Sequence, residues 1–187
     1  MLNYLCMSLS LRKDSFNTRL IHIVQNIIKA EKQCKSELID LNDYLMPAYN
    51  ADIQMNQGFP KTSEALAEKI KVADGLILSS PEYNFSYPGF FKNMLDWLSR
   101  YRPMPWLNKP MLLLSASPSL VGGNRGLWHL RVPFESTNVF VFPDMFSLAS
   151  AHEAFNDKGE LKDPAMADRL AATVRGFLAF STALTKR

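Results

Sequence analysis

Apolar and polar positions change places along this chain in a regular way. Leu2 to Met7 is a short apolar run, and Phe16, Leu20, Val24, Ile27 and Ile28 then recur at helical spacing among polar residues. This predicts a strand, a loop and a helix. Glu37 to Leu41 reads as a second short strand, followed by a loop rich in Pro, Asn and Gln from about Met46 to Pro60; Leu66, Ile70 and Ala73 mark one face of the next helix. Gly75 to Ser79 is a continuous apolar run suited to a central strand, and Phe91, Met94, Leu95 and Leu98 follow at the i, i+3, i+4, i+7 spacing of a helix. Met111 to Ser115 predicts a fourth strand, Asn124 to Glu135 a helix after the Gly122-Gly123 turn, and Val139 to Phe142 a fifth strand. Ala167, Leu170, Ala171, Val174, Leu178 and Ser181 line one face of a closing helix.

Strands alternating with helices imply an α/β fold, because parallel strands need crossover connections and right-handed crossovers place helices on both faces of the sheet. In such a sheet a ligand sits outside the carboxyl ends of the strands, so the loops after strands one, three and four carry the candidate chemistry.

Composition narrows the class. At 187 residues and 47% hydrophobic, the chain suits one domain, residues 1–187, with a sizeable core. Its 21 Lys plus Arg against 18 Asp plus Glu give a net charge of +3 with no run of five like charges, which points to neither a nucleic-acid nor a membrane surface. Cys6 and Cys34 lack CxxC spacing and read as reduced thiols, and no stretch approaches a membrane span or a secretory leader; the expectation is a cytoplasmic protein without a disulfide. His22, His129 and His152 have no metal-ligand spacing, so no metal is expected.

The loop from Ser8 to Asn17 places hydroxyls, an amide, a guanidinium and an ammonium immediately before a helix. Unpaired N–H groups and the positive end of the helix dipole favour an anion there. Ser10, Ser15 and Asn17 would donate to a phosphate and Arg12 would add charge; the bland alternative is a polar loop in which Asp14 or Ser15 caps the helix. No GxxxxGK[ST] or GxGxxG accompanies the loop. Nor does an Asp-x-x-His follow near the C-terminus to turn Asp14-Ser15 into a hydrolase site.

After the third strand the chain reads Pro81-Glu82-Tyr83-Asn84-Phe85-Ser86-Tyr87-Pro88-Gly89, then Lys92-Asn93, Asp96-Trp97 and Ser99-Arg100. Pro81 stiffens the loop, Tyr83 and Phe85 offer apolar surface for a flat ring, and backbone groups near Glu82 and Asn84 can meet a polar ring edge. This segment resembles the PEYN-x-S-x-PG-x-x-KN-x-x-DW-x-SR signature of the NADPH-dependent FMN reductase family, which includes quinone, chromate and azo-dye reductases. The first loop is similar to the family's GSLRKxSxN segment. Tyr49 to Asp52, Gly58 to Pro60, Gly122-Gly123, His129 to Arg131 and Ala151 to Phe155 also match in order and spacing.

The resemblance implies a flavodoxin-like three-layer sandwich with a five-stranded parallel sheet in the order 2-1-3-4-5. It implies FMN as cofactor and NAD(P)H as co-substrate. Ser10, Arg12, Ser15, Phe16 and Asn17 would surround the FMN phosphate, Pro81, Glu82, Tyr83, Asn84 and Phe85 would border the isoalloxazine ring, and Ser117 would complete the pocket. Electrons would pass from NAD(P)H through the flavin to a small-molecule acceptor of quinone-like, azo, nitro or metal-oxyanion type, with both substrates using one ring face in turn. No side chain is assigned a catalytic role, since a flavin carries such chemistry itself. The alternatives are an FMN-binding redox sensor or electron carrier, and a flavin-free structural relative. The family also implies a homodimer or homotetramer, with the aromatic segment around Trp97, Tyr101 and Trp106 partly at an interface. Two positions depart from the family pattern: Leu9 and Asp14 stand where Gly is usual. A Leu side chain would hinder close backbone approach to a ligand unless it points into the core, and Asp14 would repel a phosphate unless it faces away.

Overall fold

The computed structural model describes residues 1–185. Its centre is one parallel sheet. Strand β1 (Leu2–Ser8) lies between β2 (Cys34–Ile39) and β3 (Gly75–Ser79), and β3 pairs with β4 (Pro110–Ala116). Two short strands, β5 (Phe140–Val141) and β6 (Phe146–Leu148), pair side by side with the beginning and end of β4. The order is β2-β1-β3-β4-β5, with β6 continuing the outer edge. Every residue of β3 and β4 is buried, as expected of central strands covered on both faces.

Alternation along β1 separates two apolar layers. Leu5 and Met7 face helices α3 (Lys61–Val72), α4 (Gly89–Leu98) and α5 (Asn124–Glu135). Tyr4 and Cys6 face α1 (Phe16–Ala30) and the closing helix α7 (Pro164–Thr185). In α1 the buried Leu20, Ile21, Val24 and Ile28 form the stripe that docks on the sheet, and in α7 Leu170, Val174, Phe177 and Leu178 do the same. Burial pushes the Cys6 thiol up to about 12 and also raises that of Cys34, so neither is an activated nucleophile.

Three elements differ from the sequence expectation. Strand β2 begins at Cys34, three residues before the expected Glu37, and Leu41 opens a 3-10 turn capped by Asp40 instead of ending the strand. As an edge strand, β2 is only partly covered, and its polar Lys35, Ser36 and Glu37 mask the pattern. The loop from Met46 to Pro60 contains helix α2 (Ala51–Gln57), which buries no residue and so carries no apolar stripe. The expected strand from Val139 to Phe142 is shortened to Phe140–Val141, and a further strand, β6, follows it beyond Pro143, a residue without the N–H that a continuous ladder needs. A four-residue helix α6 (Ala151–Ala154) follows β6.

Candidate active site

The loop after β1 is anchored from beneath by Leu9. Its N–H donates to the Ser79 carbonyl at 2.8 Å, which extends the β1–β3 ladder by one residue, and its side chain is fully buried in the core layer beneath α3 and α4. The bulk that separates this chain from the family pattern therefore points away from the loop's outer surface. Asp14 is exposed and does not cap the helix. Ser15 does, accepting from Asn17 N–H at 3.2 Å with its backbone in the extended region.

The side chains around this loop divide into two groups. Ser8, Ser10, Arg12, Lys13 and Thr18 line a cavity of about 340 Å³ whose far wall is the end of β2 and the turn after it, Leu38 to Asn42. Thr18 Oγ1 donates to Ser8 Oγ at 3.0 Å, and the Ser10 hydroxyl accepts from Arg12 N–H at 3.4 Å. Asp40, the one acid on the wall, is occupied by the N–H and side-chain amide of Asn42 at 2.9 and 2.8 Å. Hydroxyls, two cations that form no ion pair among the described residues and a helix N-terminus suit a phosphomonoester.

Asn17 and Phe16 belong to the second group, which faces inward. Asn17 is buried: its Oδ1 accepts from Ser79 Oγ at 2.8 Å and from Ala116 N–H at 2.9 Å, and its Nδ2 donates to the Ala116 carbonyl at 3.0 Å. It ties the start of α1 to the ends of β3 and β4, leaving at most one amide hydrogen for a phosphate. Phe16 stacks on Phe155, with ring centroids 6.2 Å apart.

The loop after β3 is built differently. Pro81 is buried, and Tyr83 and Ser86 exchange backbone hydrogen bonds of 2.8 and 3.0 Å to close a tight hairpin. Its two central residues, Asn84 and Phe85, have φ of +50° and +65°. Asn tolerates the left-handed region, whereas a Phe there is strained. Tyr83 and Phe85 are both about half exposed, at 48% and 56%, leaving an apolar surface open at the mouth of the sheet. Glu82 turns the other way. One carboxylate oxygen accepts from Gly126 N–H at 3.0 Å in the first turn of α5, and the other pairs with Arg125 at 3.0 Å. Burial raises the pKa of the adjacent Tyr87 phenol, with Lys92 opposing and Asp96 adding to the shift, so it stays neutral.

The loop after β4 supplies the third wall. Ser117 N–H donates to the Leu148 carbonyl at 3.0 Å, and its hydroxyl lies 3.1 Å from that of Ser119. Gly123, at φ +85°, lets the chain turn into α5 where a Cβ would stand 3.1 Å from Ser115. The fold thus gathers Ser10, Arg12, Ser15, Phe16 and Asn17 at the end of β1, Pro81 to Phe85 at the end of β3 and Ser117 at the end of β4, on one edge of the sheet. Sequence reasoning did not single out Arg125 and Gly126, whose contact with Glu82 crosses from one loop to another. The Gly122-Gly123 turn before α5 was the available signal.

The aromatic segment on and after α4 lies largely inside the chain's own fold. Trp97 and Trp106 are buried, their indole N–H groups donating to the Pro47 carbonyl at 2.9 Å and Thr137 Oγ1 at 3.0 Å, and Tyr101 stacks on Phe59. The exposed large apolar side chains include Trp128 and Val132 on α5 and Phe140 on β5. No helix among the described residues is long and apolar enough to cross a membrane.

Comparison with known proteins agrees with this architecture. The family profile described as NADPH-dependent FMN reductase matches residues 4–153. The chain is 37% identical over 170 residues to a quinone reductase of Escherichia coli (strain K12), covering 90% of this chain and 89% of that protein. It is 34% identical over 185 residues to an NADPH:quinone oxidoreductase of Arabidopsis thaliana, with 94% and 89% covered. FerB, a flavoenzyme NAD(P)H:(acceptor) oxidoreductase from Paracoccus denitrificans, superposes with a TM-score of 0.82 at 27% identity over 98% of both chains. Oxidised flavodoxin 1 from Bacillus cereus shares the fold alone, with a TM-score of 0.62 at 11% identity over 96% of this chain and 98% of that one. The chain belongs to the NADPH-dependent FMN reductase family, and is an oxidoreductase with FMN as cofactor and NAD(P)H as co-substrate.

Proposed function

We propose that this chain is a cytoplasmic NAD(P)H-dependent reductase that passes electrons to a quinone-like, azo, nitro or metal-oxyanion acceptor. The observation that carries the reading is the pairing of two unlike loops on one sheet edge: a hydroxyl- and cation-bearing loop at the end of β1 and a half-exposed apolar hairpin at the end of β3. Bound FMN supplies the electron-transfer chemistry. Ser10 and Arg12, with the N-terminus of α1 capped by Ser15, hold its phosphate; Asn17 and Phe16 position that helix start. Pro81, Glu82, Tyr83, Asn84 and Phe85 border the ring, mainly through backbone and apolar surface, and Ser117 closes the β4 side. NAD(P)H and acceptor use the open face beside Tyr83 and Phe85 in turn, which makes the kinetics ping-pong.

The inward side chain of Leu9 removes the steric ground for a flavin-free relative. Assembly as a homodimer or homotetramer would draw on exposed side chains such as Trp128, Val132 and Phe140, since Trp97 and Trp106 are already buried.

The absorption spectrum of the purified protein, followed by NAD(P)H oxidation with and without added quinone, tests the reading. A flavin spectrum with quinone-dependent turnover and parallel double-reciprocal plots is expected. Flavin without turnover assigns the chain to a sensor or carrier, and failure to take up FMN overturns the proposal. Sedimentation at micromolar concentration checks the assembly.

A further inference from the structure

The contact between the hairpin after β3 and the start of α5 joins two loops that 43 positions of sequence separate. Four observations converge on it. The Glu82 side chain is 8% exposed, and both its oxygens are engaged, one by Gly126 N–H and one by Arg125, whose Nε and Nη2 lie 3.1 and 3.0 Å away. The Arg125 guanidinium also lies over the Phe85 ring, 4.0 Å from its centroid. Gly126 admits the hairpin backbone at close range, since a Cβ there would stand 3.2 Å from the Ser86 carbonyl oxygen and 3.3 Å from Glu82 Cβ. The hairpin so held contains two consecutive non-glycine residues at positive φ.

A strained turn persists only where its surroundings over-determine it. The hairpin's own backbone bonds, between Tyr83 and Ser86, do not reach the α5 side. That side is supplied by Glu82, which receives one N–H of the first turn of α5 and a guanidinium, and by Arg125, which grips the Phe85 ring from outside. Without the guanidinium, Phe85 loses the partner that offsets its strain.

We propose that Arg125 is a positioning residue for the flavin site, latching the Tyr83–Ser86 hairpin to the N-terminus of α5 through Glu82 and Phe85. The inference rests on the reading that this hairpin borders the isoalloxazine ring. The latch acts on the ring wall, since the contacts of the Arg125 guanidinium among the described residues are with Glu82 and Phe85.

The test uses the full chain and reads the hairpin separately from the flavin. Amide hydrogen exchange of the Tyr83–Ser86 segment is measured without cofactor, FMN affinity by flavin fluorescence, and the bound-flavin spectrum by visible absorption and circular dichroism. In Arg125→Ala, exchange quickens and FMN affinity falls, each by about tenfold, with a changed bound-flavin spectrum and a melting temperature of the cofactor-free protein lowered by only about 2–4 °C. Arg125→Lys, which keeps the charge over Phe85 but not the fork, restores part of each effect. Gly126→Ala pushes on Ser86 and Glu82 from the other side and weakens FMN binding in the same direction, although Ala suits a helix better than Gly.

Unaltered exchange in Arg125→Ala overturns the latch whatever the flavin does. Faster exchange with FMN affinity and spectrum unaltered overturns its role in the flavin site. A wild-type protein that takes up no FMN overturns the flavin reading and the positioning role together, while the exchange result still decides whether the latch holds the hairpin.

Discussion

The loops after β1 and β3 sit on the same edge of one sheet and are built on opposite terms. The β1 loop has an unstrained backbone, with no residue at positive φ, and a hydrophobic anchor, Leu9, that leaves Ser10, Arg12 and Lys13 free to face a cavity. The β3 loop has two strained residues, and its one charged side chain, Glu82, is held by a helix N-terminus and Arg125. One presents side chains on a relaxed backbone, whereas the other presents backbone and apolar surface held in place by side chains. A compact anion is met by point donors and charge, while a flat ring needs a wall of fixed shape.

Four substitutions break or sharpen this contrast. The largest effect belongs to Leu9→Gly, which restores the residue usual in the family. It empties a fully buried site and frees the backbone, costing about 3–5 kcal/mol in urea unfolding. FMN affinity does not improve, and a gain there sinks the view that Leu9 points away from the ligand. Asn17→Ala comes next. Ser79 Oγ and both backbone groups of Ala116 lose their partner, lowering stability by about 2–4 kcal/mol. If Asn17 were mainly a phosphate donor, stability would hold and only flavin affinity would fall.

Arg12→Ala reverses that pattern. Being exposed, Arg12 contributes little to stability, so the melting temperature holds while FMN affinity drops about tenfold in a fluorescence titration. The loss shrinks at high salt, because screening weakens an exposed charge's hold on a phosphate. The smallest effect is Asn84→Gly, which removes a side chain from a positive-φ site and shifts stability by about 0.5 kcal/mol or less, with slightly greater stability expected. A loss of more than 1 kcal/mol, roughly, would mean that the Asn84 side chain itself holds the hairpin.

Much of the fold was legible because burial imposes runs. Gly75 to Ser79 and Asn124 to Glu135 match β3 and α5 in both bounds, since a central strand shows as an unbroken apolar run and an amphipathic helix shows its stripe. Elements that bury little left weaker signals. Helix α2 has no buried residue, yet Asn50 accepts from Asp52 N–H as its cap and Gly58, at φ +78°, ends it, two signs a reading based on apolar spacing passes over. Pro143 likewise marked the break between β5 and β6.

The candidate site divides the same way. Its two main loops are contiguous motifs, so their residues stand together in the sequence as they do at the carboxyl ends of the strands. The bonds that set the site's shape are not contiguous. Asn17 meets Ala116 across 99 positions and Glu82 meets Arg125 across 43, and nothing local to any of these residues names its partner.

By itself, then, the sequence determined the alternation of elements, the family and the two loops of the candidate site, because periodicity and short motifs are local properties of the chain. Only the tertiary structure decided which way Leu9 points, that Asn17 binds the sheet and that Glu82 turns from the open edge toward α5. Those outcomes depend on the order β2-β1-β3-β4, which brings distant backbone ends within hydrogen-bond reach and leaves each buried polar group to find its partner there.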